Sequence, residues 1–282
     1  MRQRLLSAAV GVPLIVVVLL LYNTVVLNIA MALISLLALY EVFTATKYIE
    51  SRGIAVVSFV YAAVLPFLDV GHFHMLVMFC TYLYIIALFC LFMKYHKKMT
   101  LQEVGTAFML TVMISVAFSS LVYLRDILST HAYTKFDSFF YLALIFIGAW
   151  ITDAGAYFAG RFLGKHKMAL TISPKKTWEG VAGGVVASMV LFPVAGLVYQ
   201  SFAVGVNSSV AVNYPLLILL GLFAAIVAIF GDLVASLIKR VCKVKDFGHI
   251  LPGHGGIMDR FDSVMFVAPL IYLAIQVLQI IS

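Results

Sequence analysis

Asp259 and Asp262 stand three residues apart at the mouth of the last apolar run of the chain, within GHILPGHGGIMDRFD. On a helical turn that spacing puts both carboxylates on one side, where they repel each other and invite a divalent cation between them. A third acid, Asp232, lies inside the apolar run LLILLGLFAAIVAIFGDLVASLIKR, about 10 Å of helix from the basic edge at Lys239. A bare aspartate at that depth costs on the order of 2.5 to 3.5 kcal/mol, so it requires a cation, a partner or water. Ser236 follows one turn later and shares its face. Three carboxylates with no matching His or Cys set make an oxygen-only cluster suited to a hard ion such as Mg2+. Complementing a helix dipole, with Arg260 neutralising one acid, would explain Asp259 and Asp262 alone. The buried Asp232 favours the metal site, because intramembrane carboxylates are by default functional.

Two loops rich in Gly, Lys and His flank these acids. In KRVCKVKDFGHILPGHGG the cations Lys239, Arg240, Lys243 and Lys245 precede Gly253, Gly255 and Gly256. Glycines allow close backbone approach, and a helix starting there offers N–H groups to phosphate. The GxxxxGK[ST] loop is absent, so phosphate binding here follows another design. His254 fits two readings equally, a phosphate or aspartate partner and ordinary polar packing. The second loop follows ITDAGAYFAGRFLGKHK, with Asp153 inside its span, and SPKKTWEG places Lys175 and Lys176 before a helix start that Thr177 can cap. Lysines grouped there suit a polyphosphate, whereas Lys165 and Lys167 read equally well as lipid-headgroup anchors. Nothing resembles a Ser-His-Asp or Cys-His arrangement, so a covalent acyl intermediate is not indicated.

The elements that position these residues are set by the bilayer. Of the 282 residues 64% are hydrophobic and 11% charged, with mean hydropathy +1.10, against about 25% charged in a soluble domain. Runs of about 20 residues suffice to cross the hydrocarbon. Nine such spans are expected, at 5–22, 25–43, 54–70, 73–94, 104–124, 138–160, 178–200, 214–238 and 262–281. With the N-terminus inside, every Lys and Arg except Arg125 and Lys135 falls on one side. That is the positive-inside pattern, which explains the net charge of +7 without nucleic acid and gives a cytoplasmic N-terminus and an outside C-terminus. No small-residue cleavage site follows the first run, which is expected to be retained. Cys80, Cys90 and Cys242 are scattered, so neither a disulfide framework nor a zinc site is expected. The fold class is therefore an all-α polytopic membrane protein, one domain over 1–282. Helices within 1–137 serve as scaffold, dimer contact or lipid access, and 138–282 carry the chemistry.

The stretch SLIKRVCKVKDFGHILPGHGGIMDRFD resembles the C-terminal signature of the phosphatidate cytidylyltransferase family, also called CDP-diacylglycerol synthases. Ser236, Lys239, Arg240, Lys245, Asp246, Gly248, Leu251, Pro252, His254, Gly255, Gly256, Asp259, Arg260 and Asp262 stand where that pattern wants them. DAGAYFAGRFLGKHK followed by SPKKTWEG is also similar to the family. The resemblance implies a dimeric, Mg2+-dependent enzyme of the bacterial inner membrane, with room for a second cation such as K+. Such an enzyme converts CTP and phosphatidic acid into CDP-diacylglycerol and pyrophosphate on the cytoplasmic face. On that reading Asp232, Asp259 and Asp262 hold metal, and Arg260, Lys239, Arg240, Lys175 and Lys176 balance the phosphates.

Rival classes make different demands. A CDP-alcohol phosphotransferase needs DGxxAR, which this sequence lacks. A CTP-dependent lipid kinase of the polyprenol type differs in its products, phospholipid and CDP. An ion-coupled transporter would spread acids through the bilayer depth, whereas Asp153 and Asp232 gather toward one face beside the basic loops.

Overall fold

The computed structural model describes residues 13, 17–68, 73–130, 135–203, 211–250 and 255–281. In chain order its principal elements are α1 (Val25–Ala45), α2 (Arg52–Val64), α3 (Phe73–Tyr95), α4 (Leu101–Thr130), α5 (Lys135–Phe146), α6 (Thr152–Phe162), β1 (Lys167–Ala169), β2 (Ser173–Thr177), α7 (Trp178–Ala203), α8 (Tyr214–Val241), α9 (Met258–Phe261) and α10 (Val264–Val277). They form two compact units. The first comprises Met1–Ile127 with Val241–Phe261, and the second Leu128–Arg240 with Asp262–Ser282.

Helix starts in the first unit follow local chemistry. Thr24 caps α1 by accepting from the Val26 amide at 3.2 Å. Thr100 and Glu103 form a reciprocal capping box at α4, with the Thr100 amide donating to Glu103 at 2.8 Å and the Glu103 amide to the Thr100 hydroxyl at 3.2 Å. Leu39, Val42, Phe43, Ile54, Ala62, Leu65 and Ile114 are fully buried between these helices. Tyr61 and Tyr84 stack with centroids 4.7 Å apart.

Arg125 is one of the two cations that the charge pattern leaves away from the basic side, and it is buried. Its Nη1 donates to the Tyr22 carbonyl at 3.2 Å, the Thr24 carbonyl at 2.8 Å and Asn28 Oδ1 at 2.9 Å, while Nε reaches Asp126 at 2.5 Å. One guanidinium thus fastens the start of α1 to α4. Arg125→Ala is expected to destabilise the solubilised protein by about 2–4 kcal/mol, because buried acceptors and Asp126 lose a charged donor. Thermal unfolding followed by size-exclusion chromatography measures this. Arg125→Lys should recover only part of the loss, since one ammonium lacks the fork.

In the second unit a π-helical turn, Ile147–Ile151, joins α5 to α6. Here α6 and α7 meet along glycine. A Cβ on Gly155 would lie 2.8 Å from Ala187 Cβ, one on Gly180 would lie 2.8 Å from the Ala156 carbonyl, and one on Gly184 would lie 2.7 Å from the Thr152 carbonyl. Small residues at this spacing let two helices approach to backbone contact where lipid supplies no hydrophobic drive. The β1–β2 hairpin turns the chain back into α7. Thr177 caps that helix as expected, accepting from the Gly180 amide at 3.2 Å. Glu179 accepts from the His166 ring at 2.6 Å, tying the hairpin's approach to the same helix start. The Tyr199 hydroxyl donates to the buried Asp137, joining α7 to α5.

The chain is an α-helical multi-pass membrane protein with, among the described residues, one small hairpin. Among the described residues, six helices are long and apolar enough to cross a bilayer: Val25–Ala45, Met75–Tyr95, Leu101–Leu128, Asp137–Phe162, Trp178–Ala203 and Tyr214–Val241. Of the nine expected spans, 5–22 falls mostly outside the described residues. The span expected at 54–70 is a shorter apolar segment, Arg52–Phe67, whose α-helix gives way to a 3-10 turn at Leu65–Phe67 around Pro66. The span expected at 262–281 is α10 alone, 14 residues or about 21 Å of helix. It is short because Leu278 is extended and Ile281 bridges to Val212.

Candidate functional site

The second unit gathers acids from two helices and from the turn before α10. Asp232, one turn from Ser236 on α8, pairs with the Lys176 ammonium at 2.5 Å, and the Ser236 hydroxyl lies 3.4 Å from its other oxygen. Both partners of the ion pair are largely withdrawn from solvent, at 23% and 28% side-chain exposure, so the attraction is less screened than at a surface. The Ser263 hydroxyl donates to Asp153 on α6 at 2.9 Å and lies 3.5 Å from Asp262 Oδ1, which also accepts the Ser263 amide at 2.8 Å. The Asp232 charge acts on both Asp153 and Asp262, and the Lys239 charge acts on Asp262. Arg240 donates to the Ile172 carbonyl at 3.3 Å, holding the hairpin against the end of α8. Lys175 is exposed on β2.

The glycine-rich motif folds with the first unit, and its acids make different contacts. Asp259 Oδ2 accepts from the Phe247 amide at 2.9 Å and the Gly256 amide at 3.2 Å. Gly255 holds φ +83° beside it, a conformation that a β-carbon would strain. The next two amides, Ile257 and Met258, donate to Glu41 of α1 at 3.0 and 2.9 Å. The N–H groups expected to meet phosphate at this helix start are therefore occupied by two protein carboxyl groups, since low-dielectric surroundings demand a partner for each buried amide. Lys245 and Arg260 are exposed. His254, with Leu251, Pro252 and Gly253, lies outside the described residues.

Of the residues singled out in the sequence, Asp153, Lys176, Asp232, Ser236, Lys239 and Asp262 come together in one unit, and Gly255, Gly256 and Asp259 in the other. Sequence reasoning missed Ser263 and Glu41. Glu41 carried a usable signal, an acid inside an apolar span, the same criterion that found Asp232. Among the described residues no three His, Cys, Asp or Glu side chains form a ready-made metal cage. The donor set nonetheless suits a hard cation: Asp153, Asp232 and Asp262 offer only oxygen, and an ammonium already stands against Asp232.

Comparison with known proteins adds identity to this geometry. The phosphatidate cytidylyltransferase of Bacillus subtilis (strain 168) is 42% identical over 173 residues, covering 61% of this chain and 58% of that protein. Those of Staphylococcus haemolyticus (strain JCSC1435) and Staphylococcus aureus (strain COL) are 46% and 45% identical over 138 residues, in each case 49% of this chain and 50% of the relative. The match thus spans about half the length of these curated relatives. A family model described as the cytidylyltransferase family fits residues 2–278, nearly the whole chain. The chain belongs to the cytidylyltransferase family.

Proposed function

We propose that the protein is a CTP:phosphatidate cytidylyltransferase, making CDP-diacylglycerol and pyrophosphate. The observation that carries this reading is the pairing of Lys176 with Asp232 beside Ser236 and within electrostatic reach of Asp153 and Asp262. A cation and several carboxylates held together near the basic edge of a membrane helix suit the triphosphate of a soluble nucleotide and a lipid phosphate meeting at the interface. The relatives' printed activity supports the same substrates.

In this reaction an oxygen of the phosphatidate monoester attacks the α-phosphorus of CTP. The bond to the bridging oxygen breaks, and pyrophosphate leaves with that electron pair. The attacking phosphate is already largely dianionic, its second pKa being about 6, so the protein needs no nucleophile of its own. Its task is alignment and charge balance. Lys176, Lys239 and Arg240, with the exposed Lys175 on β2, would offset phosphate charge. Ser236 fixes one oxygen of Asp232, and Ser263 holds Asp153 in place. Within the second unit Asp232 and Asp262 would hold Mg2+, and the ion would supply charge neutralisation for the triphosphate. A second cation such as K+ belongs to the same reading.

The finer topology also belongs to it: nine spans, a cytoplasmic N-terminus, an outside C-terminus, a homodimer in the bacterial inner membrane and an active site facing the cytoplasm. The test is direct. Purified protein given labelled CTP, phosphatidate and Mg2+ should yield a labelled lipid and pyrophosphate, and Asp259→Asn or Asp262→Asn should abolish both. Full activity in the two variants, or a phosphorylated lipid with CDP as co-product, would overturn the assignment, the latter in favour of a lipid kinase.

A further inference from the structure

The chemistry above leaves Glu41 without a task. It is 1% exposed near the C-terminal end of α1, and its two carboxyl oxygens are given to two successive backbone amides, Ile257 and Met258. Space has been cleared around it. A Cβ on Gly248 would lie 2.6 Å from the Glu41 carboxyl carbon, and one on Gly256 would lie 2.8 Å from it. Neither glycine has positive φ, so what these positions supply is room for the acid rather than an unusual turn.

The amide run shows what this contact controls. Gly256 donates to Asp259, and Ile257 and Met258 donate to Glu41. Three consecutive N–H groups are divided between a side chain of the motif and one from a helix more than two hundred residues earlier. Asp259 follows Met258 directly, so any rotation of the α9 start that slackens the Glu41 contact also turns the Asp259 side chain. A misplacement of about 1 Å in a catalytic constellation can cost about 100-fold in rate.

We propose that Glu41 is a positioning residue: it latches residues 256–258 to α1 and so sets the direction in which Asp259 is presented. What Asp259 does once presented rests on the cytidylyltransferase reading; the latch itself does not. Glutamine at this position keeps the size but offers one acceptor for two amides and sets an NH2 group against the other. Aspartate keeps both acceptors and withdraws them by one methylene.

Amide hydrogen exchange and steady-state kinetics on the full-length protein in detergent, corrected for monodisperse fraction, decide the matter. In Glu41→Gln, exchange over residues 255–261 should accelerate about tenfold or more while that over residues 214–241 is unchanged. Turnover should fall about 10- to 100-fold, with KM for phosphatidate within about twofold. Gly248→Ala should reproduce both effects by crowding the carboxyl group. Adding Glu41→Asp to Gly248→Ala should then restore at least about threefold in turnover, a coupling that independent destabilisation does not produce. Unchanged exchange over 255–261 in Glu41→Gln, unchanged turnover, or acceleration spread evenly over the chain would each overturn the proposal. Should Glu41→Gln not fold, the Gly248→Ala pair carries the decision, and absence of rescue counts against the latch. Wild-type protein that makes no CDP-lipid would sink the functional reading, while the exchange measurement would still decide whether Glu41 holds the loop.

Discussion

Asp232→Asn should lower formation of labelled CDP-lipid by at least about 100-fold, the scale on which loss of one preorganised electrostatic group acts, without changing the elution of the purified protein. The amide is isosteric and can still accept from Ser236, so packing around α8 is preserved. What disappears is the charge that holds Lys176 at 2.5 Å. Lys176→Met makes the converse change and should also depress the rate, because Asp232 and Asp153 then repel each other with no ammonium beside them. Scintillation counting of the lipid phase, normalised to monodisperse protein, measures both. A rate within about threefold of wild type in Asp232→Asn would remove that residue from the catalytic machinery.

The second large effect is on structure rather than chemistry. Gly184→Leu is expected to cost about 3 kcal/mol or more, at the upper end of overpacking penalties, because even a β-carbon there meets the Thr152 carbonyl at 2.7 Å and backbone cannot step aside. The α6–α7 contact should open and the protein should aggregate or lose thermal stability in a size-exclusion assay. Asp153 on α6 and the Lys176 strand leading into α7 are set by that same contact, so any protein that survives should be nearly inactive. Gly105→Ala is the matching control, since nothing lies within 4 Å of a Cβ at that position.

Much of this site could be read from sequence, for reasons that differ residue by residue. Asp232 announced itself because an acid in an apolar run is costly and demands a partner. The partner, Lys176, stood in the other loop already suspected of binding phosphate, but only the fold joins them, through a hairpin whose two short strands carry no apolar alternation. Thr177 was legible as a cap because capping is a local event. The glycines of α7 look like interruptions of a hydrophobic span; in the structure they are its contact surface with α6, which periodicity does not reveal. Spans of about 20 residues were recovered even across the π-helical turn at Ile147–Ile151, whereas Pro66 and the extended residues after Val277 shortened two others. Glu41 shows the opposite failure. It met the same physical criterion as Asp232, yet its partners are main-chain amides of a distant loop, and a backbone donor leaves no trace in residue type.

The Glu41 contact also bears on how the chain is made. Its partners come 216 and 217 residues later, so at roughly 5–20 residues per second a ribosome takes roughly 10–45 s to deliver them. During that interval the two carboxyl oxygens of Glu41 lack the amides that hold them in the finished protein. The first unit therefore completes only when its last segment, Val241–Phe261, arrives. A chain whose synthesis stops before Ile257 leaves a carboxyl group near the end of α1 without either of the backbone partners it has in the complete first unit.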